Sequence, residues 1–479
     1  MSIRRYVATE DTTITNAYKD NLKVRAKTAN MGGSDSLETF AIYGRASEQE
    51  TELSRILIKF PINEVTSDRN NNRIPSSGSV NFFLKLSNVE HPFTLPREYT
   101  LVVNPLSASW IEGNGLDMES YKDTGPANWV SASYTDSWQN EGGDYYSNIE
   151  VSHFFKEGDE DLEVDITEVV ESWVSGTIPN YGLMIRFSSS LEESVDTYYT
   201  KKFYARGTNN FFKKPWIEAR YDKSVKDDRG RFYNFTPFVE MEDNYNSLYM
   251  YNSFKGEYKN FPTVGTGSMT VGLFTAATSP LPSPQSLLTG SVISPENISY
   301  VTASHVSTGI YKCDIAIDTN YSSLYDIWFD KNGDAVAAGS LIEILDPSEA
   351  TSITTDAYVI TIKNLKQHYS NNENPRLLTY VRTKNWNPNS YTSLNTANKS
   401  IIIEDMFYKV YRIVDDYEVI PYGTGSMPYT RLSRDVNGNY FEMDMKLLEP
   451  GYMYGIRFSI FDRGEYYETD EYFKFRVEE

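Results

Sequence analysis

The sequence predicts an all-β chain of several linked sandwiches, and three observations predict it. Apolar and polar residues alternate with a period of two along the chain, tight-turn residues separate the alternating runs, and aromatics reach 14 %, led by 37 tyrosines. The alternation is explicit where Val80, Phe82, Leu84 and Leu86 interleave with Asn81 and Lys85. It recurs where Tyr358, Ile360 and Ile362 interleave with Thr361 and Lys363, and where Phe473, Phe475 and Val477 interleave with Lys474 and Arg476. Such runs are half-buried antiparallel strands. Asn332-Gly333, Asn437-Gly438 and Asp462-Arg463-Gly464 supply the positive-φ positions that tight hairpins need.

One short helix interrupts the β pattern. Asp165 with Glu168 three residues on resembles a capping pair, Val169, Val170, Trp173 and Val174 form one apolar stripe, and Gly176 stops the turn. The helix is expected to close one end of a sandwich.

With 479 residues and roughly 150 per domain, two to four domains are expected. The first should span 1–221, ending at the strand-like Trp216 to Tyr221. Residues 222–230 are charged and lack apolar periodicity, as expected of a linker. A second module is placed at 231–350, interrupted by the proline-rich Ser279 to Pro284, and a third at 351–479. Gly265-Thr266-Gly267-Ser268-Met269 reappears as Gly423-Thr424-Gly425-Ser426-Met427, either a faint module duplication or two similar turns.

Composition excludes several classes of function. A formal net charge of −21, from 66 acidic and 45 basic side chains, would be repelled by a phosphate backbone, so nucleic acid is not an expected partner. No segment approaches the ~20 consecutive apolar residues of a membrane span. Met1 to Tyr6 carries two charges but no apolar run behind them, so folding in the cytoplasm is expected. The single cysteine, Cys313, lies between Tyr311 and Ile315 at alternate positions, as a small apolar residue on a strand would. The four histidines, His91, His153, His305 and His368, are too dispersed for a compact ligand motif.

No catalytic residue, metal site or cofactor is assigned. Asp330 to Asp334 has the oxygen-rich start of a calcium loop, but Ser340 and Leu341 stand where the bidentate glutamate should be. That segment and the similar Asp435 to Asn439 are better explained as hairpin turns. The acidic groups at 157–163 and at Glu192-Glu193 read as solvated edges, because a glycosidase needs two carboxylates facing each other across ~5 to 9 Å. Trp110, Trp129 and Trp138 fall in a Gly, Ser and Asp-rich region between strands. Trp110 and Trp173 are expected in the core, whereas Trp129 and Trp138 are the candidates for stacking on a glycan.

Residues 20–207 carry an ordered series of landmarks. It runs from Asp20-Asn21-Leu22-Lys23-Val24-Arg25 and Asn30-Met31-Gly32 through Ser54 to Phe60, Val80 to Leu86, and Ala108-Ser109-Trp110-Ile111-Glu112-Gly113. Val164 to Thr167, Trp173 to Gly176, Asn180-Tyr181-Gly182-Leu183 and Phe203-Tyr204-Ala205-Arg206-Gly207 complete it. The series resembles the DNRLRE-type jelly-roll domain, a β-sandwich found in secreted, often carbohydrate-associated proteins. Leu116 to Tyr121, Gly142 to Tyr145, Tyr198 to Phe203 and the C-terminal half are similar to virion structural proteins of T4-like contractile-tailed phages of marine cyanobacteria.

The resemblance implies an N-terminal jelly-roll sandwich followed by two smaller immunoglobulin-like or fibronectin-like sandwiches. It further implies a non-enzymatic structural part of a tailed-phage virion, made in the host cytoplasm and present in several copies. Its expected partners are other virion proteins and copies of itself. The neck and collar are the favoured position, with head-fibre, sheath-decorating and baseplate positions as alternatives. The rival reading is a host-glycan adsorption module using Trp129 and Trp138, and a polysaccharide-degrading enzyme ranks third.

Overall fold

The computed structural model describes residues 2–46, 50–90, 96–347, 358–384, 400–462 and 464–479. The chain is nearly all β, with 43 % strand and 8 % helix, about twice the strand content of an ordinary globular protein. It divides into two compact units, Ser2–Asp222 and Lys223–Glu479.

The first unit is a sandwich of eleven strands: β1 (Ile3–Val7), β2 (Glu10–Thr15), β3 (Ser36–Tyr43), β4 (Thr51–Lys59), β5 (Asn81–Leu86), β6 (Tyr99–Pro105), β7 (Val151–Phe155), β8 (Leu162–Asp165), β9 (Leu183–Phe187), β10 (Tyr198–Tyr204) and β11 (Trp216–Arg220). One sheet runs β1-β11-β5-β8. The other runs β10-β3-β4-β9-β6-β7, with β2 also paired to β4. One continuous apolar core fills the sandwich. Phe82, Leu84 and Ile217 come from the smaller sheet, and Ile56, Ile58, Leu101, Val103, Ile185 and Phe203 from the larger.

The expected helix is present as α2 (Thr167–Ser175), with Val169, Val170 and Trp173 buried. Asp165 Oδ1 accepts both the backbone N–H and the hydroxyl of Thr167, at 2.9 and 2.6 Å. Gly176 ends the helix in the left-handed region, φ 76°. Two further helices were not expected: α1 (Ile62–Asn70) and the single turn α3 (Ser189–Glu192). In α1, Ile62 and Val65 are buried at a spacing of three, and Arg69 forms a two-pronged ion pair with Glu171 of α2 at 2.9 and 2.7 Å.

The second unit holds a seven-stranded sheet. Its spatial order is Phe232–Tyr233, Ala335–Leu345, Ser323–Phe329, Met269–Phe274, Val301–Ser307, Ile310–Ile315 and Asn246–Tyr251. Cys313 is buried in its core with Tyr311, Ile315 and Trp328. Strands from the described parts of 358–384, 400–462 and 464–478 form a four-stranded and a six-stranded sheet. There Tyr408, Phe441 and Phe458 are buried, with the Tyr408 and Phe441 rings stacked at 4.4 Å. The expected module boundary at 350/351 lies outside the described residues, as do His91 and Arg463.

Residues 222–230, expected as a linker, are partly buried. Asp227, Asp228 and Arg229 are buried and form part of a 3-10 turn. Asp227 N–H donates to the Arg434 carbonyl at 3.1 Å, and Arg434 N–H donates to Val225 at 2.8 Å. Asp228 and Arg229 are matched by opposite charges distant in sequence, Arg434 and Asp326, and Asp227 by the neighbouring Arg229. The two Gly-Thr-Gly-Ser-Met segments also differ: Met269 opens a strand, whereas Met427 precedes Pro428 in an irregular stretch.

Candidate functional site

The landmark residues of the first unit converge on its loops. Asn30 is fully buried. Its side-chain N–H groups donate to the carbonyls of Glu112 and Ala127 at 2.6 and 2.7 Å, and its Oδ1 accepts N–H groups from Gly32 and Gly115 at 3.0 and 3.2 Å. One neutral amide thus ties together three stretches of irregular backbone that would otherwise carry unpaired polar groups. Asn180 does the same on a smaller scale, donating to the Phe60 carbonyl at 2.9 Å and accepting from Gly182. Trp110 Nε1 donates to the Tyr181 carbonyl at 2.8 Å.

Around this hub sit Asp11, Glu112 and Arg206. Glu112 accepts the Asp11 N–H and the Arg206 guanidinium, each at 2.7 Å. Asp11 in turn accepts the Arg206 backbone N–H at 2.6 Å. Burial pushes the Asp11 carboxyl up to about 7 against the lowering effect of that bond. Two carboxylates and an arginine could suggest a catalytic dyad. Here both carboxylates are occupied by backbone and guanidinium donors, so the cluster pins loops.

The two tryptophans expected to meet a glycan do not face solvent. Trp129 is 4 % exposed and Trp138 6 %. Trp129 lies under the Arg55 guanidinium at 5.2 Å. Arg55 is itself fixed by Glu192 at 3.0 and 2.6 Å and by the Gly142 carbonyl at 2.8 Å. Trp138 Nε1 donates to the Asn128 carbonyl at 2.8 Å. The glycan-contact assignment is therefore corrected, because neither ring has a free face. These loops are long and small-residue-rich, and buried indoles provide their local core.

Neither calcium-like turn presents a ligand set. Asp330 Oδ1 accepts the N–H groups of Asn332 and Asp334 at 2.8 and 3.1 Å, and Asp435 receives Asn437 N–H and Arg376 at 2.8 and 2.7 Å. Among the described residues no group of three His, Cys, Asp or Glu side chains is placed to hold a metal ion.

The second unit contains a buried charge cluster. Arg229 donates to Asp227 at 2.8 Å, to Asp326 and to the Tyr249 carbonyl. Trp328 Nε1 reaches Asp326 at 2.6 Å. Arg434 binds Asp228 through Nε and Nη2 at 2.9 and 2.7 Å. Burial raises Asp227 to about 6 even with Arg229 beside it. Gly339 passes so close to Asp326 that a Cβ there would lie 1.8 Å from Oδ1. The turn at 228–230 thereby grips both the seven-stranded sheet, through Asp326, and strand Ser433–Asp435, through Arg434.

Beside this turn lies a polar cleft of about 310 Å³, lined by Asp228, Arg231, Tyr233, Asn234, Asn244, Asn246, Glu404 and Arg434 among others. Its asparagines are committed to the fold: Asn234 to Thr319, Asn244 to Thr236, and Asn246 to Tyr233. Arg231 pairs with Glu404 at 3.1 Å. No His, Cys, Lys or Ser lines the cleft.

Exposed aromatics cluster on edges and hairpins. On strands Met453–Asp462 and Glu465–Glu468, Phe461, Tyr466 and Tyr467 are exposed, with the Phe461 and Tyr466 rings 4.7 Å apart. Phe254 and Tyr258 are exposed on the hairpin after Tyr251, and Tyr43 and Tyr198 on neighbouring β3 and β10. No described helix is long and apolar enough to cross a membrane.

No family model and no curated protein matches this chain. Solved structures give weak likenesses. Yersinia pseudotuberculosis adhesin InvE is 11 % identical over 48 % of this chain and 54 % of that one, with a TM-score of 0.16. Trypsin-activated alpha-2-macroglobulin of Escherichia coli is 6 % identical over 88 % and 24 %, with a TM-score of 0.15. Bacteroides uniformis beta-glucuronidase 3 is 10 % identical over 62 % and 31 %, with a TM-score of 0.11. The chain thus spans about half or less of the length of these structures, and at such scores the likeness assigns neither architecture nor role.

Proposed function

We propose that this chain is a non-enzymatic structural component of a tailed-bacteriophage virion, assembled in several copies, with the neck and collar its favoured position. The phage assignment rests on the sequence resemblance to structural proteins of contractile-tailed cyanophages. The observation that carries the structural reading is where the chemistry goes. Strongly interacting polar side chains are buried and paired with each other or with backbone, while large aromatics remain exposed on strand edges and hairpins. Aromatic side chains on otherwise polar surfaces suit protein contacts, burying apolar area at low entropic cost. Other virion proteins and further copies of the chain are the expected partners.

Mass spectrometry of density-gradient-purified particles tests this reading. A fixed number of copies per particle, retained through a high-salt wash, is the expected result. Recovery solely in the particle-free fraction would overturn it. Tyr466→Ser with Tyr467→Ser should lower incorporation without unfolding the chain, because both rings are exposed.

A further inference from the structure

We propose that Lys201 and Asn88 form an intramolecular amide bond, the lysine amine condensing with the asparagine carboxamide and releasing ammonia. The inference stands independently of the virion reading. Lys201 lies on β10 and is 1 % exposed. Its Nζ contacts Asn88 Oδ1 at 2.8 Å and the carbonyls of Gly158 and Glu160 at 3.0 and 2.7 Å. Asn88 follows β5, where its segment pairs with β10 through the Asn88↔Phe203 bridge and through Val89 N–H donating to the Lys202 carbonyl at 3.1 Å. β5 belongs to the smaller sheet and β10 to the edge of the larger, so the bond would lock the two sheets together.

The surroundings favour reaction. The rings of Phe155 and Phe203 lie 4.7 and 5.2 Å from Nζ. Burial lowers this lysine to about 8, against the opposing pull of Glu160, Asp161 and Asp159; His153 is the other titratable group that feels its charge. A desolvated lysine is a competent nucleophile, and its Nζ is held at hydrogen-bond distance from the oxygen of the carboxamide it would attack, which lowers the entropic cost of the step. The Asp161 carboxylate accepts the Asn88 backbone N–H at 2.7 Å and fixes the segment that carries the asparagine.

The step balances without oxidant or reductant. The Nζ lone pair forms a bond to Asn88 Cγ, the bond from Cγ to the carboxamide nitrogen breaks, and that nitrogen takes a proton from Nζ and leaves as ammonia. When the lysine starts as an ammonium, its extra proton leaves with the ammonia. The product replaces a buried cation with a neutral amide, removing a desolvation cost. Its single remaining N–H can serve one of the two carbonyls that Nζ now contacts, Gly158 or Glu160.

Intact-mass measurement of the purified full chain under denaturing conditions tests the proposal. The expected mass is one ammonia below that of the sequence, and a tryptic digest should yield a branched peptide joining Asn88 to Lys201. Lys201→Arg and Asn88→Ala should each restore the full sequence mass for that variant. The branched peptide separates this bond from ammonia loss elsewhere in the chain. Full sequence mass with Asn88 and Lys201 in separate linear peptides would overturn the proposal. That result must hold for fresh protein and after long incubation at about pH 9, above the lysine's own value of about 8.

Discussion

The two units solve the same problem, holding irregular backbone inside a β fold, with different chemistry. In Ser2–Asp222 the central device is a neutral amide: Asn30 joins three loop stretches through donors and acceptors that carry no net charge. In Lys223–Glu479 it is a set of buried charges, with Arg229 between Asp227 and Asp326, and Arg434 on Asp228. A neutral hub is cheap to bury and indifferent to pH. A charge cluster must be fully paired, because each ion carries a desolvation penalty that only its partner offsets. The Arg229 cluster should therefore be more vulnerable to single substitutions, and more responsive to acid and base, than the Asn30 hub.

The largest expected effect is on the charge cluster. Arg229→Met leaves Asp227 and Asp326 buried without their cation and should cost about 3–5 kcal/mol. Denaturant unfolding followed by peptide-level hydrogen exchange should place the loss in residues 223–479. Next comes Asn30→Leu, which strands the backbone groups of Glu112, Ala127, Gly32 and Gly115 and should cost about 2–3 kcal/mol in the first unit. If the two losses were equal, the contrast between neutral and charged hubs would fail.

The pH response sharpens the comparison. Asp227 is raised to about 6 in the folded state, above the ~3.9 of an unfolded chain. Its contribution to stability is full below pH ~4 and is lost as pH rises through about 6. Glu218 in the first unit behaves oppositely. Burial alone would raise it, but Arg5, Lys85 and Arg220 overcome burial and hold it at about 2. Its contribution is present above the unfolded value of ~4.3 and is lost as pH falls toward 2. Asp11, at about 7, shares the sign of Asp227, so the contrast is read by difference. Asp227→Asn should flatten the stability profile of the second unit between pH ~4 and about 6, and Glu218→Gln should flatten that of the first below pH ~4. The smallest effect is expected for Gly176→Ala. A Cβ there meets nothing within 4 Å, so only the left-handed backbone resists it, at about 1 kcal/mol in thermal unfolding.

Local signals in the sequence were readable, and distant ones were not. The alternating runs at 80–86, 358–362 and 473–477 fall on strands, and the Asp165, apolar-stripe and Gly176 signature falls on α2. Helix α1 escaped because Ile62 and Val65 are its only buried apolar residues among polar neighbours, too short a stripe to register as a period. Residues 222–230 read as a linker because Asp326 and Arg434, which neutralise Arg229 and Asp228, lie 97 and 206 residues away. Trp129 and Trp138 looked available because Gly, Ser and Asp surround them in sequence, whereas Arg55 and the Asn128 carbonyl cover or bind them in space. The charge cluster and the Lys201 pocket had no local signal, since each is assembled from separate strands and turns.

Immunogold labelling of intact particles, with antibody raised to residues 231–479 and read by electron microscopy, tests the structural role most directly. The account predicts label at one repeated location, with the neck and collar favoured. Unlabelled particles with the antigen free in the lysate would contradict it.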